Sequence, residues 1–214
     1  MDALILAAGY GMRMDNLTKD IPKPLLKIKN KTLISYAIDL IKNMSFDKIY
    51  INTHYKHNML ERFISENYPD ITISYEETIL GTGGGIKNIQ TNDTVILNTD
   101  NLWDQSFENE LEKSIKFFDE NKSFDSVLLI NSKNNNFDLE VNNEGLINFP
   151  SKLCNTSFQG CHIIRKNSLH PYPEIFNIQD FWKDCSLNEK IYGYETTKIN
   201  AHVGTKDEYL KYKY

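Results

Sequence analysis

The feature that most constrains this chain is its opening. Residues 3–8 form a continuous apolar run that stops at Gly9-Tyr10-Gly11. A run without polar alternation must be covered on both faces, which is the pattern of a central strand in a parallel sheet. Parallel strands need crossover connections, and the residues that follow supply them. Thr32 is placed to cap a helix whose apolar residues Leu33, Ile34, Ala37, Ile38, Leu40, Ile41 and Met44 keep helical spacing, and residues 48–52 then read as a second strand. The alternation continues with a helix over 58–65, a strand over 71–75, a short helix after Gly85, a strand over 95–97, a helix over 107–118 and a strand over 126–130. It predicts an α/β fold with a mainly parallel central sheet flanked by helices.

Beyond Asn131 the character changes. Asn134-Asn135-Asn136 and Asn142-Asn143 punctuate short segments over 137–141 and 146–149, which predicts a hairpin meander, a small β-rich extension of the same fold. A strand over 158–164, a helix over 175–183, strands over 191–194 and 199–203 and a closing helix over 206–212 complete the reading. With no internal repeat and no linker, residues 1–214 read as a single domain with two halves, 1–130 and 131–214.

Composition removes several classes of function. Twenty-nine acidic against 24 basic side chains leave a net charge of −5, whereas a nucleic-acid or acidic-membrane binder needs a basic footprint. No run approaches the roughly 18 apolar residues of a membrane span. The start of the chain carries no basic leader, so the expected compartment is the cytoplasm. Cys154, Cys161 and Cys185 lack C-x-x-C spacing and are expected to be reduced, packed thiols.

The chemistry concentrates in Leu6-Ala7-Ala8-Gly9-Tyr10-Gly11-Met12-Arg13 and Pro22-Lys23-Pro24-Leu25. A strand that runs into G-x-G can bring backbone N–H groups against phosphate, because glycine has no β-carbon to block the approach. Arg13 adds a planar, permanently charged fork, and Lys23, held between two prolines, adds a second cation. A dinucleotide fingerprint is excluded because position 14 is Met14 and prolines follow, and a Walker loop because no G-K-[ST] is present. Thr82-Gly83-Gly84-Gly85 is a second glycine cluster, between a strand and a helix, with the composition of a loop that closes over a flat ligand. Asp100 follows the apolar 95–97 strand and is expected at the carboxyl edge of the sheet, where open α/β folds bind ligands.

These segments together resemble the L-A-A-G-x-G-x-R and P-K-P-L signature of the sugar-1-phosphate nucleotidyltransferases. The likeness is greatest to the short, single-domain members of the N-acetylmuramate α-1-phosphate uridylyltransferase type. Further matches are Leu80-Gly81-Thr82-Gly83, Asn98-Thr99-Asp100, Phe158-Gln159-Gly160 and Val203-Gly204-Thr205. The resemblance implies a Rossmann-like nucleotidyltransferase fold, with a nucleotide-binding first half and a sugar-phosphate-binding second half. It also implies transfer of a nucleoside monophosphate from an NTP, UTP foremost, to a sugar 1-phosphate, releasing pyrophosphate, in cell-wall precursor metabolism.

Carried over by motif, Arg13 and Lys23 are the catalytic cations, and both also bind nucleotide together with Ala7, Ala8, Gly9, Gly11, Thr82 and Gly83. Gly160 meets the sugar phosphate, and Asp100 holds Mg²⁺. The family's second metal ligand is an aspartate three residues before the Thr of D-V-G-T, and here that place is taken by His202. Imidazole suits Mn²⁺ better than Mg²⁺, so the substitution bears on metal preference or on activity. Within the class the alternatives are guanylyl transfer to mannose or heptose 1-phosphate and cytidylyl transfer to phosphocholine. Outside it stands a noncatalytic nucleotide-binding module. A monomer or weak homodimer is expected, since no β-helix extension of the kind larger relatives use for assembly is present.

Overall fold

A computed structural model describes residues 1–134 and 136–213; Asn135 and Tyr214 lie outside the described residues. In chain order the elements are β1 (Asp2–Leu6), β2 (Lys27–Ile28), β3 (Lys31–Thr32), α1 (Leu33–Ile41), β4 (Ile49–Thr53), α2 (His57–Asn67), β5 (Thr72–Tyr75), α3 (Gly81–Ile89), β6 (Thr94–Asn98), α4 (Glu108–Glu120), β7 (Ser126–Asn131), β8 (Glu140–Val141), β9 (Ile147–Asn148), β10 (Ser157–Ile164), α5 (Ile178–Leu187), β11 (Ile191–Glu195) and α6 (Lys206–Tyr212). They fall into two compact units, one of Met1–Ile79, Leu97–Gln105 and the chain from Asn200, the other of Leu80–Ile96 and Ser106–Ile199. The chain therefore changes unit at 79/80, 96/97, 105/106 and 199/200.

In the first unit β1 stands between the end of β6 and β4, with β5 beyond. β1 and β4 run parallel from Ala3↔Ile49 to Leu6↔Asn52, and β4 and β5 run parallel from Tyr50↔Thr72 to Thr53↔Tyr75. Ala3, Leu4 and Ile5 are fully buried, as the uninterrupted apolar run requires. Thr32 caps α1 by accepting a hydrogen bond from the Ser35 amide, and the buried face of α1 packs on β1. A core cluster of Met14, Leu26, Ile28, Leu33, Val203 and Tyr209 joins the loop after β1, the β2–β3 hairpin and α6.

In the second unit β7 is buried along its whole length, parallel to β11 on one side and antiparallel to β10 on the other. The β10–β7 register slips between Phe158 and His162, and Gly160 inside the slip has φ +77°. The expected meander is the short antiparallel pair β8–β9.

Three expectations are corrected. The 81–85 glycine cluster is not a loop followed by a helix: α3 begins at Gly81. The Gly83 and Gly84 amides donate to the Phe176 carbonyl at 3.1 and 3.2 Å, and a β-carbon at Gly84 would stand 2.1 Å from the Glu174 carbonyl oxygen. These glycines permit close helix packing, a reason invisible to local propensity. Residues 199–203 do not form a strand; an isolated bridge pairs Asn101 with His202. Cys161 and Cys185 are buried as expected, but Cys154 is exposed. Among the described residues, no helix is long and apolar enough to cross a membrane.

Met14 is completely buried in the cluster that anchors the loop after β1. Met14→Ala is expected to destabilise the protein by about 2–5 kcal/mol in chemical denaturation; a loss under about 1 kcal/mol, the size of a typical surface change, would show that the loop is not anchored through this side chain.

Candidate active site

The site grows from the end of β1. There the Ala7 amide donates to Asn52 Oδ1 at 2.7 Å, and the Tyr55 amide donates to the Ala8 carbonyl. The two loop glycines serve different ends. A β-carbon on Gly9 would meet nothing within 4 Å, so the backbone there borders open space. Gly11 has φ +66° and lies against Lys23 Cβ and Thr18 Cγ2, each 3.1 Å from where its β-carbon would stand, so it is required for the turn itself. Thr18 closes that turn by donating to the Gly11 carbonyl at 3.2 Å, and the Tyr55 hydroxyl donates to the Thr18 carbonyl at 3.0 Å. With Met14 buried, the neighbouring Arg13 side chain is left largely in solvent.

Lys23 opens a single 3-10 turn between Pro22 and Pro24 and is almost wholly buried. Its ammonium lies 2.9 Å from Asp100 Oδ2, the same oxygen that His202 Nε2 approaches to 3.4 Å and Arg13 to 3.9 Å. Burial alone would raise the Asp100 pKa, but the His202 hydrogen bond and the Lys23 charge outweigh it and hold the carboxyl well below the usual range. The hydrogen bond to Asp100 raises His202, against a smaller opposing effect of burial.

Backbone pairing delivers these groups. Val203 donates to the Asp100 carbonyl at 2.7 Å and Leu102 to Ala201 at 2.8 Å. Gly204 has no β-carbon where one would stand 2.1 Å from the His202 ring. At the start of α6, Thr205 and Glu208 form a reciprocal capping box, and Glu208 Oε2 also lies 3.5 Å from His202 Nδ1. Glu208 was legible only as the fourth residue of a T-x-x-E spacing, Asn52, Thr53 and His54 only as residues at the sheet edge after the second strand, with no role assigned, and Glu76 gave no local signal.

The four side chains Arg13, Lys23, Asp100 and His202 are thus brought together. Thr82, Gly83 and Gly160 belong to the second unit. There the Gly83 amide is occupied by Phe176, while the Thr82 hydroxyl has no hydrogen-bond partner among the described residues.

For a divalent metal the donor set is uneven. Asp100 is a hard oxygen donor, and magnesium is commonly held by one or two carboxylates with phosphate oxygens and water, so this residue fits. His202 turns Nε2 to Asp100 at 3.4 Å and Nδ1 to Glu208 at 3.5 Å, and its imidazole can give a lone pair to a metal only in the neutral form. Among the described residues no group of three or more His, Cys, Asp or Glu side chains is arranged to hold an ion.

A profile described as Nucleotidyl transferase matches residues 2–138. The chain is 29% identical to D-glycero-alpha-D-manno-heptose 1-phosphate guanylyltransferase of Aneurinibacillus thermoaerophilus, over 99% of this chain and 96% of the relative. It is 26% identical to N-acetylmuramate alpha-1-phosphate uridylyltransferase of Caulobacter vibrioides, over 94% of this chain and 91% of the relative. Among solved structures, HddC from Yersinia pseudotuberculosis complexed with GMP-PN superposes with a TM-score of 0.76 at 21% identity, covering 99% of this chain and 97% of that one, a likeness of fold.

Two outcomes follow from the geometry. Because His202 is raised in the folded state above its ordinary value of 6.5, its contribution is fully present below that value and is lost as pH rises through the folded pKa. The stability difference between wild type and His202→Gln, measured by denaturant titration, should therefore be largest below about pH 6.5 and shrink on going alkaline; a difference flat with pH would exclude the ion pair. Gly11→Ala should cost about 1–3 kcal/mol from its left-handed backbone, whereas Gly9→Ala should leave the unfolding midpoint nearly unchanged.

Proposed function

Since the chain belongs to the nucleotidyl transferase family, we propose that it transfers a nucleoside monophosphate from an NTP to a sugar 1-phosphate and releases pyrophosphate. The observation that carries this reading is the convergence of Lys23, Arg13 and His202 on one buried-edge carboxylate. In the reaction an oxygen of the sugar phosphate attacks the α-phosphorus, a new P–O bond forms, the bond to the β-phosphate oxygen breaks, and pyrophosphate leaves with the electron pair. Both reactants are anions, so neutralising and orienting them is the main task.

Lys23 faces the α-phosphoryl and acceptor phosphate, exchanging Asp100 for phosphate as its counter-ion. Arg13, exposed and free to reach, holds the β- and γ-phosphates. Ala7, Ala8, Gly9 and Gly11 present backbone to the nucleotide, with the open space at Gly9 leaving room for it. By the motif resemblance, Thr82 and Gly83 are assigned to the nucleotide and Gly160 to the sugar phosphate; within their own unit the Gly83 amide is taken by the Phe176 carbonyl. Asp100 would hold a magnesium ion, which supplies positive charge to the phosphate oxygens when bound. His202 stands against Asp100 where the resemblance places an acid, and its imidazole, when protonated, adds positive charge there.

The similarity to the guanylyltransferase extends over more of the chain and at higher identity than that to the uridylyltransferase. Guanylyl transfer to a heptose-type 1-phosphate is accordingly the first reading, and uridylyl transfer to an N-acetylmuramate-type 1-phosphate the second.

Pyrophosphate release should be measured with each NTP crossed against heptose, mannose and N-acetylmuramate 1-phosphates, in Mg²⁺ and in Mn²⁺. Turnover confined to GTP with a heptose-type acceptor is expected; UTP with N-acetylmuramate 1-phosphate would favour the second reading. Nucleotide binding with no turnover of any pair would mean a noncatalytic module. In the active pairing, Lys23→Ala should lower kcat by about 10²–10³ with the NTP KM much less affected; equal losses in both would remove its assigned role.

A further inference from the structure

Three side chains that no role above absorbs, Asn52, His54 and Glu76, tie the Ala7 amide and the Tyr10 side chain, at the two ends of one segment, to one residue. At one end the Ala7 amide donates to Asn52 Oδ1 at 2.7 Å, and Asn52 Nδ2 donates to Glu76 Oε1 at 2.8 Å. A backbone amide can only donate and a carboxylate can only accept, so both contacts enforce the same orientation of the Asn52 side chain. Asparagine supplies both an acceptor and a donor at this position; aspartate would set two carboxylates against each other. Both residues are buried, Asn52 at 3% and Glu76 at 2% exposure, where such bonds are shielded from competing water.

At the other end His54 Nδ1 lies 2.8 Å from the Glu76 carbonyl oxygen and Nε2 lies 3.1 Å from the Tyr10 hydroxyl. The carbonyl only accepts, so Nδ1 carries the proton, and in the neutral ring Nε2 accepts from Tyr10. The Tyr10 ring, 44% exposed, rests edge-on against His54 and tilted against Tyr55. Between the two anchors the Ala8 carbonyl is held by the Tyr55 amide, and Gly9 borders open space. Glu76 is itself fixed, its amide donating to the Thr53 carbonyl at 2.8 Å.

We propose that Asn52, Glu76 and His54 are positioning residues that hold the Ala7-to-Tyr10 backbone in the shape that receives the nucleotide. This role rests on the reading of the site given above. A preorganised backbone binds without a separate ordering cost, so the relay acts on nucleotide affinity and not on the chemical step.

The test uses the full chain in six forms, wild type, Asn52→Ala, Tyr10→Phe, Glu76→Gln, Glu76→Ala and an exposed control, Asn67→Ala. Hydrogen exchange over residues 4–12 is followed without ligand, GTP and UTP binding by calorimetry, and kinetics in the active pairing. Asn52→Ala and Tyr10→Phe are expected to speed exchange in this segment. They should also raise the NTP Kd and KM about 10-fold and a few-fold respectively, with kcat and the acceptor KM within about 2-fold of wild type. Tyr10→Phe loses only an exposed hydroxyl, so it remains informative if Asn52→Ala folds poorly. Glu76→Gln, which keeps an acceptor for Asn52, should exchange more slowly than Glu76→Ala. Unchanged exchange in both principal variants would overturn the relay whatever nucleotide binds. Faster exchange with unchanged nucleotide affinity would overturn its role in binding. Failure of wild type to bind either nucleotide would overturn the transferase reading, and the nucleotide role with it, while exchange still reported whether the relay holds the loop.

Discussion

The structure of this site depends on one ionic contact, the carboxylate of Asp100 at the end of β6. Burial alone would raise the pKa of this carboxylate, which is 16% exposed, and His202 and the Lys23 ammonium at 2.9 Å more than offset that and hold it low. On the function proposed above, Lys23, paired with Asp100 and with Arg13 at the margin, would take phosphate oxygens in the acid's place. Charge gathered in this way is the electrostatic condition for bringing two anions together.

That contact is possible because distant parts of the chain share one apolar cluster. Met14 from the loop after β1, Leu26 after the Pro-Lys-Pro turn, Val203 and Tyr209 all pack together. Tyr209 also donates its hydroxyl to the Lys27 carbonyl at 2.7 Å. Because α6 is capped by Thr205 and Glu208, and Glu208 also faces His202, the terminal helix steadies the side of the imidazole away from Asp100. The charged side chains are thus positioned by burial of their uncharged neighbours.

Glycine shows how one residue type serves unrelated physical ends. Gly9 leaves space, Gly11 adopts a left-handed backbone, and Gly84 admits the Glu174 carbonyl. All three stand in Gly-rich segments that look alike when read locally. All three lie where ligand chemistry was expected, yet the third answers to the packing of α3 against the segment that carries Glu174. A glycine motif therefore locates a constraint without saying whether the constraint is a ligand, a dihedral angle or a neighbour.

What the sequence determined by itself was the part governed by short-range rules. The buried run of β1, the Thr32 cap, the order of strands and helices, and the Arg13 and Lys23 pair in its signature all follow from periodicity, capping and local motif, which need only a few neighbouring residues. Only the tertiary structure decided that Asp100 Oδ2 receives both Lys23 and His202, from positions 23, 100 and 202. It likewise decided that Asn52 and Glu76 grip Ala7, that residues 199–203 pair through an isolated bridge, and that the 81–85 glycines lie in a helix. Those outcomes depend on contacts between residues far apart in the chain. Such contacts form when apolar burial brings segments together, and hydrogen-bond partners are then chosen from whatever groups that burial has placed within reach.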